Sequence, residues 1–108
     1  MAQTLTLKQG DSFERLLPIP DSFVDGYFTD WVASSQLRST EDGSVIAEFD
    51  VAWADPVTTR VLRLTEIDTT LWPLGTAEFD VQFKRVSDGF VLSTSTAKLK
   101  VTKDVTSP

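Results

Sequence analysis

Strict alternation of apolar and polar residues in the second half of the chain is the feature that most constrains its fold. The cleanest run is Ala77–Lys84, in which every second residue is apolar and each residue between is charged or an amide. Successive side chains of a β-strand point to opposite faces, so this run offers one face to a core and one to water. Similar alternation recurs over Val45–Trp53 and Ala97–Thr102. The pattern predicts an all-β domain.

Turn signals divide the chain into six or seven predicted strands. Asp42-Gly43 and Asp88-Gly89 indicate turns, because Asp-Gly pairs accept the positive φ that such turns need. No segment keeps a 3.6-residue period for three turns, and a strand spacing of roughly 8–12 residues favours a small antiparallel sandwich over a parallel α/β sheet. The predicted extended segments are Thr4–Leu7, Ser12–Leu17, Asp30–Ser39, Val45–Trp53, Thr58–Thr65, Ala77–Arg85 and Phe90–Thr102.

Length and composition predict one domain over residues 1–108. The chain has 108 residues, and 41% of them are hydrophobic, which is enough for a packed core. Pro18 and Pro20 are expected to place the second segment at a sheet edge or between sheets, because proline has no amide hydrogen. The tail, Lys103–Pro108, is expected to be frayed or to reach toward a neighbour.

The residue types that the sequence lacks exclude much chemistry. There is no cysteine for a disulfide or thiolate and no histidine for a catalytic triad or imidazole ligand. The net charge of −6 argues against binding a phosphate backbone. Residues 1–8 lack a secretory-signal pattern, and no apolar run reaches the ~20 residues of a membrane helix. We expect a soluble protein made in the cytoplasm, with no cofactor, metal, nucleic-acid partner or membrane partner.

Paired carboxylates are the one candidate for catalysis. Glu48 and Asp50 fall on the predicted outward face of one strand, and Glu78 and Asp80 fall on that of another. Two carboxylates can hydrolyse a glycosidic bond. Alternating charges are also the ordinary filling of a solvent-facing strand surface, and we favour that interpretation.

Acidic residues in the loops could in principle bind calcium, which takes six to eight converging oxygens. Asp21 with Asp25, or Glu41 with Asp42, would supply two residues each. Since no run matches the EF-hand pattern, solvated loop charges are the better interpretation.

Three tryptophans raise the question of sugar stacking. Trp31 and Trp53 fall on the apolar side of their strands and are predicted to be core residues. Trp72 lies in a loop before Pro73 and is a candidate partner contact together with Leu74, since tryptophan is enriched at interfaces. Three further aromatic residues are expected to cap one end of the core: Phe23, Tyr27 and Phe28.

Several stretches, taken together, resemble a known family. They are Gln9–Phe13, Ser35–Arg38, Leu62–Thr65, Asp68–Thr70, Trp72–Gly75, Ala77–Gln82, Asp88–Gly89 and Val101–Thr106. This succession resembles small structural proteins of tailed bacteriophages and prophages, and the N-terminal immunoglobulin-like domain of phage baseplate upper proteins. The resemblance covers nearly the whole chain, although Trp72 stands where the family usually has a smaller residue and Phe79 replaces the usual tyrosine.

The resemblance implies an immunoglobulin-like antiparallel β-sandwich and a non-enzymatic role in the virion or tail. Its partners would be other phage structural proteins or further copies of itself, and it would reside in the virion after synthesis in the host bacterial cytoplasm. Docking could use the Trp72 loop or an edge strand, and the polar, β-prone run Ser93–Thr96 suits strand pairing as well as an ordinary wet strand face. The alternatives are a carbohydrate- or host-surface-binding sandwich and an assembly helper outside the virion.

Overall fold

The computed structural model describes residues 4–103, and these residues fold into two β-sheets without any helix. None of them therefore provides a helix that could span a membrane. The nine strands are β1 (Thr4–Lys8), β2 (Phe13–Pro18), β3 (Trp31–Ser39), β4 (Val45–Glu48), β5 (Asp50–Trp53), β6 (Val61–Glu66), β7 (Gly75–Arg85), β8 (Val91–Ser93) and β9 (Ala97–Thr102). Except for Lys103, the tail that the sequence predicts to be frayed or docking lies outside the described residues.

The two sheets form a β-sandwich, as the alternation predicts. The six-stranded sheet has the order β1-β9-β7-β3-β4, with β8 pairing to β7, and the three-stranded sheet has the order β2-β6-β5. All pairs are antiparallel except β1 with β9, which run parallel. A parallel pair cannot be joined by a tight hairpin, and here the two strands come from opposite ends of the described chain.

The predicted strand count of six or seven is wrong because two continuous alternating runs each break once. Residues 45–53 break at Phe49, which is buried and whose amide donates to the Ser35 carbonyl at 3.0 Å. The chain crosses there from the six-stranded sheet (β4) to the three-stranded sheet (β5). Residues 90–102 break at Thr94, whose amide donates to the Val81 carbonyl at 2.9 Å while its Oγ1 accepts from the Val81 amide at 2.9 Å.

The core lies between the sheets and consists of the residues that alternation turns inward. Leu62 and Leu64 of β6 are essentially inaccessible. Trp31 is buried as predicted, whereas Trp53 is half-buried against the core. The buried hydrophobic residues are Phe13, Ile19, Phe28, Trp31, Leu37, Phe49, Leu62, Leu64, Trp72, Ala77, Phe79, Val81, Phe83, Leu99 and Val101.

β2 lies at an edge of the three-stranded sheet, which confirms the prediction made from the prolines. The Ile19 amide donates to the Arg60 carbonyl at 2.8 Å, toward the β6 side, so the backbone groups of the preceding Pro18 point to the free edge. Proline has no amide hydrogen to lose there, which is why an edge tolerates it. The Arg60 guanidinium also donates to the carbonyls of Ile19 and Phe23, and so fixes the chain that leaves β2.

Candidate functional site

The connection between β6 and β7, residues 67–74, exposes three large apolar side chains; we call it the apolar loop. Ile67 is 79% exposed, Leu71 is 93% exposed and Leu74 is 54% exposed. Three exposed apolar residues within eight residues form an apolar patch at this end of the sandwich. A second group lies at the β7–β8 turn, where Val86 is 65% exposed, Phe90 is 52% exposed and Val91 is 45% exposed.

Trp72 lies beneath this loop, in the core. It is only 3% exposed, and its ring centroid lies 6.1 Å from those of Phe13 and Phe49. The prediction that the Trp72 ring offers an exposed partner contact is therefore wrong. A large apolar ring that can pack against other aromatic rings of the core is stabilised by burial. Leu74 is exposed, and its role as a partner contact stays a prediction.

Hydrogen bonds from the β1–β2 turn hold the apolar loop in place. Thr69 is fully buried; its Oγ1 donates to the Asp11 carbonyl at 2.6 Å and accepts from the Gly10 amide at 2.9 Å. Gln9 donates from Nε2 to the Trp72 carbonyl at 2.7 Å. A loop tied at these points is ordered before any partner arrives, which lowers the conformational entropy lost on binding.

Asp68 organises the turn inside the apolar loop. Its Oδ1 accepts from Thr70 Oγ1 at 2.6 Å and from the Thr70 amide at 3.0 Å. The hydroxyl hydrogen bond and then the amide hydrogen bond of Thr70 lower the pKa of Asp68, because both favour its charged form. Asp68 thus caps the turn that precedes the exposed Leu71.

The four predicted outward carboxylates border one groove of about 630 Å³, which runs from the outer face of the six-stranded sheet to the β4–β5 crossing: Glu48, Asp50, Glu78 and Asp80. The prediction that Glu48 and Asp50 share one strand is wrong, because the crossing at Phe49 places them in different sheets. Among residues 4–103, no three acidic side chains are grouped so that they could hold a metal ion.

The acidic loop residues are engaged within the protein. Asp21 and Asp25 form ion pairs with Arg60 at 3.4 and 3.5 Å. Asp42 accepts from the Ser44 amide and hydroxyl at 2.9 and 2.7 Å, and these two hydrogen bonds lower its pKa. These contacts fit the interpretation of ordinary loop charges.

A salt-bridged turn closes the opposite end of the sandwich from the apolar loop. Arg85 donates from Nε and Nη2 to the Asp88 carboxylate at 2.9 and 2.6 Å. The side-chain hydrogen bonds of Arg85 and the Phe90 amide lower the pKa of Asp88 to about 2. The guanidinium also lies 5.3 Å from the centre of the Trp31 ring. Of the predicted aromatic cap at this end, Phe28 is buried, Phe23 is half-buried and Tyr27 is 40% exposed.

A second groove, of about 440 Å³, is mainly apolar and opens between β2 and the break between β8 and β9. Ser93–Thr96, the run predicted to suit strand pairing, forms one rim, and Leu17, Ile19 and Leu92 line the floor. A groove between strand edges has the geometry that strand addition uses. Pro18 limits the β2 edge, since it provides a carbonyl there but no donor.

Sequence reasoning missed Thr69, Ile67 and Leu71. Thr69 resembles any turn threonine in sequence, and its burial depends on a turn 58 residues away. Ile67 and Leu71 carried a readable signal, since both are apolar residues in a segment without strand alternation.

Comparison with known proteins supports the fold. No protein-family model matches the sequence, and no curated protein matches it. Among solved structures, the chain is similar to the cysteine protease inhibitor EhICP2 from Entamoeba histolytica, with a TM-score of 0.50 and 14% identity over 93% of this chain and 85% of that chain. The likeness identifies an immunoglobulin-like β-sandwich and, at this identity, the fold alone.

Proposed function

We propose that this chain is a non-enzymatic structural module of a phage or prophage virion, associated with the tail, which acts by docking to other structural proteins. The proposal joins the resemblance of its turn and strand motifs to phage structural proteins with one observation, the apolar loop. In this role the protein would be made in the host bacterial cytoplasm and would then reside in the virion.

The apolar loop has the two properties that a docking surface needs. Ile67, Leu71 and Leu74 present apolar area that loses contact with water when a partner covers it. Trp72 and Thr69 hold the backbone beneath them, so little ordering accompanies binding. Apolar anchors on a rigid support are typical of the centre of a protein–protein interface.

Two other functions lack a specific observation in their favour. Sugar stacking through a tryptophan requires an exposed ring, but Trp31 and Trp72 are buried and Trp53 is half-buried. The exposed rings, Tyr27 and Phe90, pack at their other side against Trp31, with centroids 6.0 and 6.2 Å from it. Protease inhibition is named for EhICP2, and 14% identity does not extend it to this chain.

Peptide mass spectrometry of gradient-purified particles from the strain that carries the gene tests the proposal. We expect the protein in intact particles in a fixed ratio to the major capsid protein. Absence from particles, with the protein abundant in the lysate, would contradict the virion role and favour an assembly helper or a soluble binding module.

A pair of matched variants tests the apolar loop itself. Leu71→Asp places a charge on a side chain that is 93% exposed, and Val57→Asp places one on a side chain that is 75% exposed in the β5–β6 turn. We expect Leu71→Asp to lower incorporation into particles at least ~10-fold, since a charge in a desolvated contact is costly, whereas Val57→Asp is neutral. Normal incorporation of Leu71→Asp would exclude the loop as the contact and leave the virion role standing.

A further inference from the structure

Positive charge is concentrated on one half of the outer face of the six-stranded sheet. Lys8 on β1 and Lys98 and Lys100 on β9 are all exposed on that face. The strand register places Lys98 and Lys100 opposite threonines of β1, and Lys8 opposite Thr102. Paired strands are ~4.8 Å apart and alternate residues ~6.7 Å apart, so the three ammonium groups share one small area. We call these three lysines the basic half.

The basic half has no internal neutralisation. No ion pair links Lys8, Lys98 or Lys100 to an acidic side chain within residues 4–103. Lysine on an edge strand protects it from pairing with other chains, which accounts for Lys8 on β1. Edge protection does not account for Lys98 and Lys100, because β9 is paired with β1 on one side and with β7 on the other.

The other half of the same face carries three carboxylates together with two cations, Arg38 on β3 and Lys84 near the end of β7. Glu48, Asp50, Glu78 and Asp80 border the 630 Å³ groove described above, and we call them the acidic half. Arg38 is the one cation bordering that groove among the described residues, and its guanidinium donates to a backbone carbonyl and a glutamine amide rather than to an acid. Glu78 lies opposite Lys98 in the strand register, at the boundary between the halves.

This division makes the face complementary to itself in one arrangement. The basic half belongs to β1 and β9, and the acidic half lies over β7, β3 and the β4–β5 crossing. When two such faces meet about a two-fold axis parallel to the strands, along the boundary between β9 and β7, β9 of each copy lies over β7 of the other, so that Lys98 and Lys100 face Glu78 and Asp80. A two-fold axis across the strands would instead bring like charges together.

We propose that the outer face of the six-stranded sheet binds the same face of a second copy of this chain in this two-fold arrangement. The contact is polar and small, since five strands by five residues cover roughly 20 × 17 Å, less than the ~800 Å² per partner of a standard interface. The dimer is therefore weak and forms at high local concentration. The inference rests on the charge pattern and is independent of the virion proposal.

Salt acts on this dimer in two opposite ways. Each copy carries a net charge of −6, and this long-range repulsion is screened beyond ~8 Å at physiological ionic strength. The cross-face charge pairs lie closer together than that and are screened substantially only near 1 M salt, where the Debye length is ~3 Å. We expect the strongest association at intermediate salt and weaker association at both extremes.

Two charge-reversed variants test the arrangement. Lys98→Glu/Lys100→Glu leaves Lys8 as the only cation of the basic half and makes the face mainly acidic, and Glu48→Lys/Asp80→Lys makes it mainly basic. In sedimentation velocity over roughly 10–500 µM protein, the range that suits weak dimers, we expect wild type to dimerise and each variant alone to stay monomeric. An equimolar mixture should form a heterodimer about 10-fold tighter than the wild-type dimer, because both contact zones then join opposite charges.

A control separates this contact from general charge attraction. Glu14→Lys/Asp21→Lys makes the same change in net charge at two exposed residues, one on β2 in the three-stranded sheet and one in the loop after it. Mixed with Lys98→Glu/Lys100→Glu, it should form no heterodimer. Carbodiimide cross-linking of wild type should join Lys98 or Lys100 of one copy to Asp80 of the other.

Three results would overturn the proposal. One is a wild type that stays monomeric over the whole range while the variant mixture gives no heterodimer. Another is a wild-type dimer that both pairs of substitutions leave intact. The third is a control mixture that associates as tightly as the matched one.

Discussion

Replacing Trp72 distinguishes a core residue from a surface contact. The structure places this side chain 97% out of solvent, the complement of its 3% exposure. A buried tryptophan removes ~150–250 Å² from water, which at ~25 cal/mol per Å² corresponds to about 4–6 kcal/mol. Measured large-to-alanine truncations fall at ~3–5 kcal/mol because the surroundings partly relax. We therefore expect Trp72→Ala to lower the free energy of unfolding by about 4 kcal/mol.

Urea unfolding followed by far-UV circular dichroism measures this loss. With a slope of ~1–1.5 kcal/mol per M for a chain of this size, Trp72→Ala should lower the midpoint by roughly 3 M. Trp72→Phe keeps an aromatic ring against Phe13 and Phe49 and should lower the free energy of unfolding by about half as much. Its urea midpoint can therefore be measured even when the alanine variant is unfolded. Leu71→Ala, at a side chain that is 93% exposed, is the control and should change stability by less than ~0.5 kcal/mol.

The opposite outcome would refute the buried position of Trp72. If Trp72→Ala unfolds at the wild-type midpoint but fails to enter particles, the ring is a partner contact and not a core residue. The hydrogen bond from Gln9 does not confuse the comparison, because it ends on the Trp72 main-chain carbonyl, which every substitution keeps.

Three further predictions concern the turns. Thr69→Val removes one donor and one acceptor in a buried site, so it should lower the free energy of unfolding by about 2 kcal/mol and raise hydrogen exchange in the apolar loop; unchanged exchange would contradict its anchoring role. The pKa of Asp88, lowered to about 2 by Arg85, means that its contribution to stability is present above the unfolded value of ~3.9 and lost as the pH falls toward 2. Urea midpoints of wild type and Asp88→Asn should therefore differ at pH 5 and converge near pH 2, whereas a constant difference would argue against this linkage. Gly26→Ala should lower the free energy of unfolding by about 1–2 kcal/mol in the same urea assay, since Gly26 has φ of +77° and an added Cβ would lie 3.2 Å from a carbonyl of the β5–β6 turn; wild-type stability would contradict this strain.

Alternation predicted the strands because one face of each meets the core. It identified β3, β6 and β7 with their inward residues, since apolar residues at every second position of a strand are the ones that become buried. It could not show the crossing at Phe49, because the apolar phase is the same before and after the chain changes sheets. The break at Thr94 is not visible in the sequence either, because threonine suits a strand and nothing in the residue order shows that its side-chain Oγ1 accepts from the Val81 amide.

The error at Trp72 has a different physical origin. A tryptophan followed by Pro73 and Gly75 lies in a turn segment, and turn segments usually run over the surface. Here the backbone does run over the surface while the ring points down between the sheets, to Phe13 and Phe49. Local sequence describes the path of the backbone, whereas the space that receives the side chain is formed by residues distant in the chain.

The charged face shows the same limit for a surface. Alternation over Ala97–Thr102 predicts that Lys98 and Lys100 point to water, and both are exposed, as is Lys8. It does not predict that they lie together, because Lys8 is separated from Lys100 by most of the chain and reaches it only through the parallel pairing of β1 with β9. Strand order likewise brings Glu48 and Asp80 to one groove across β3. The dimer proposal therefore depends on sheet topology, and a sheet with the same strands in another order would mix these charges and lose its self-complementarity.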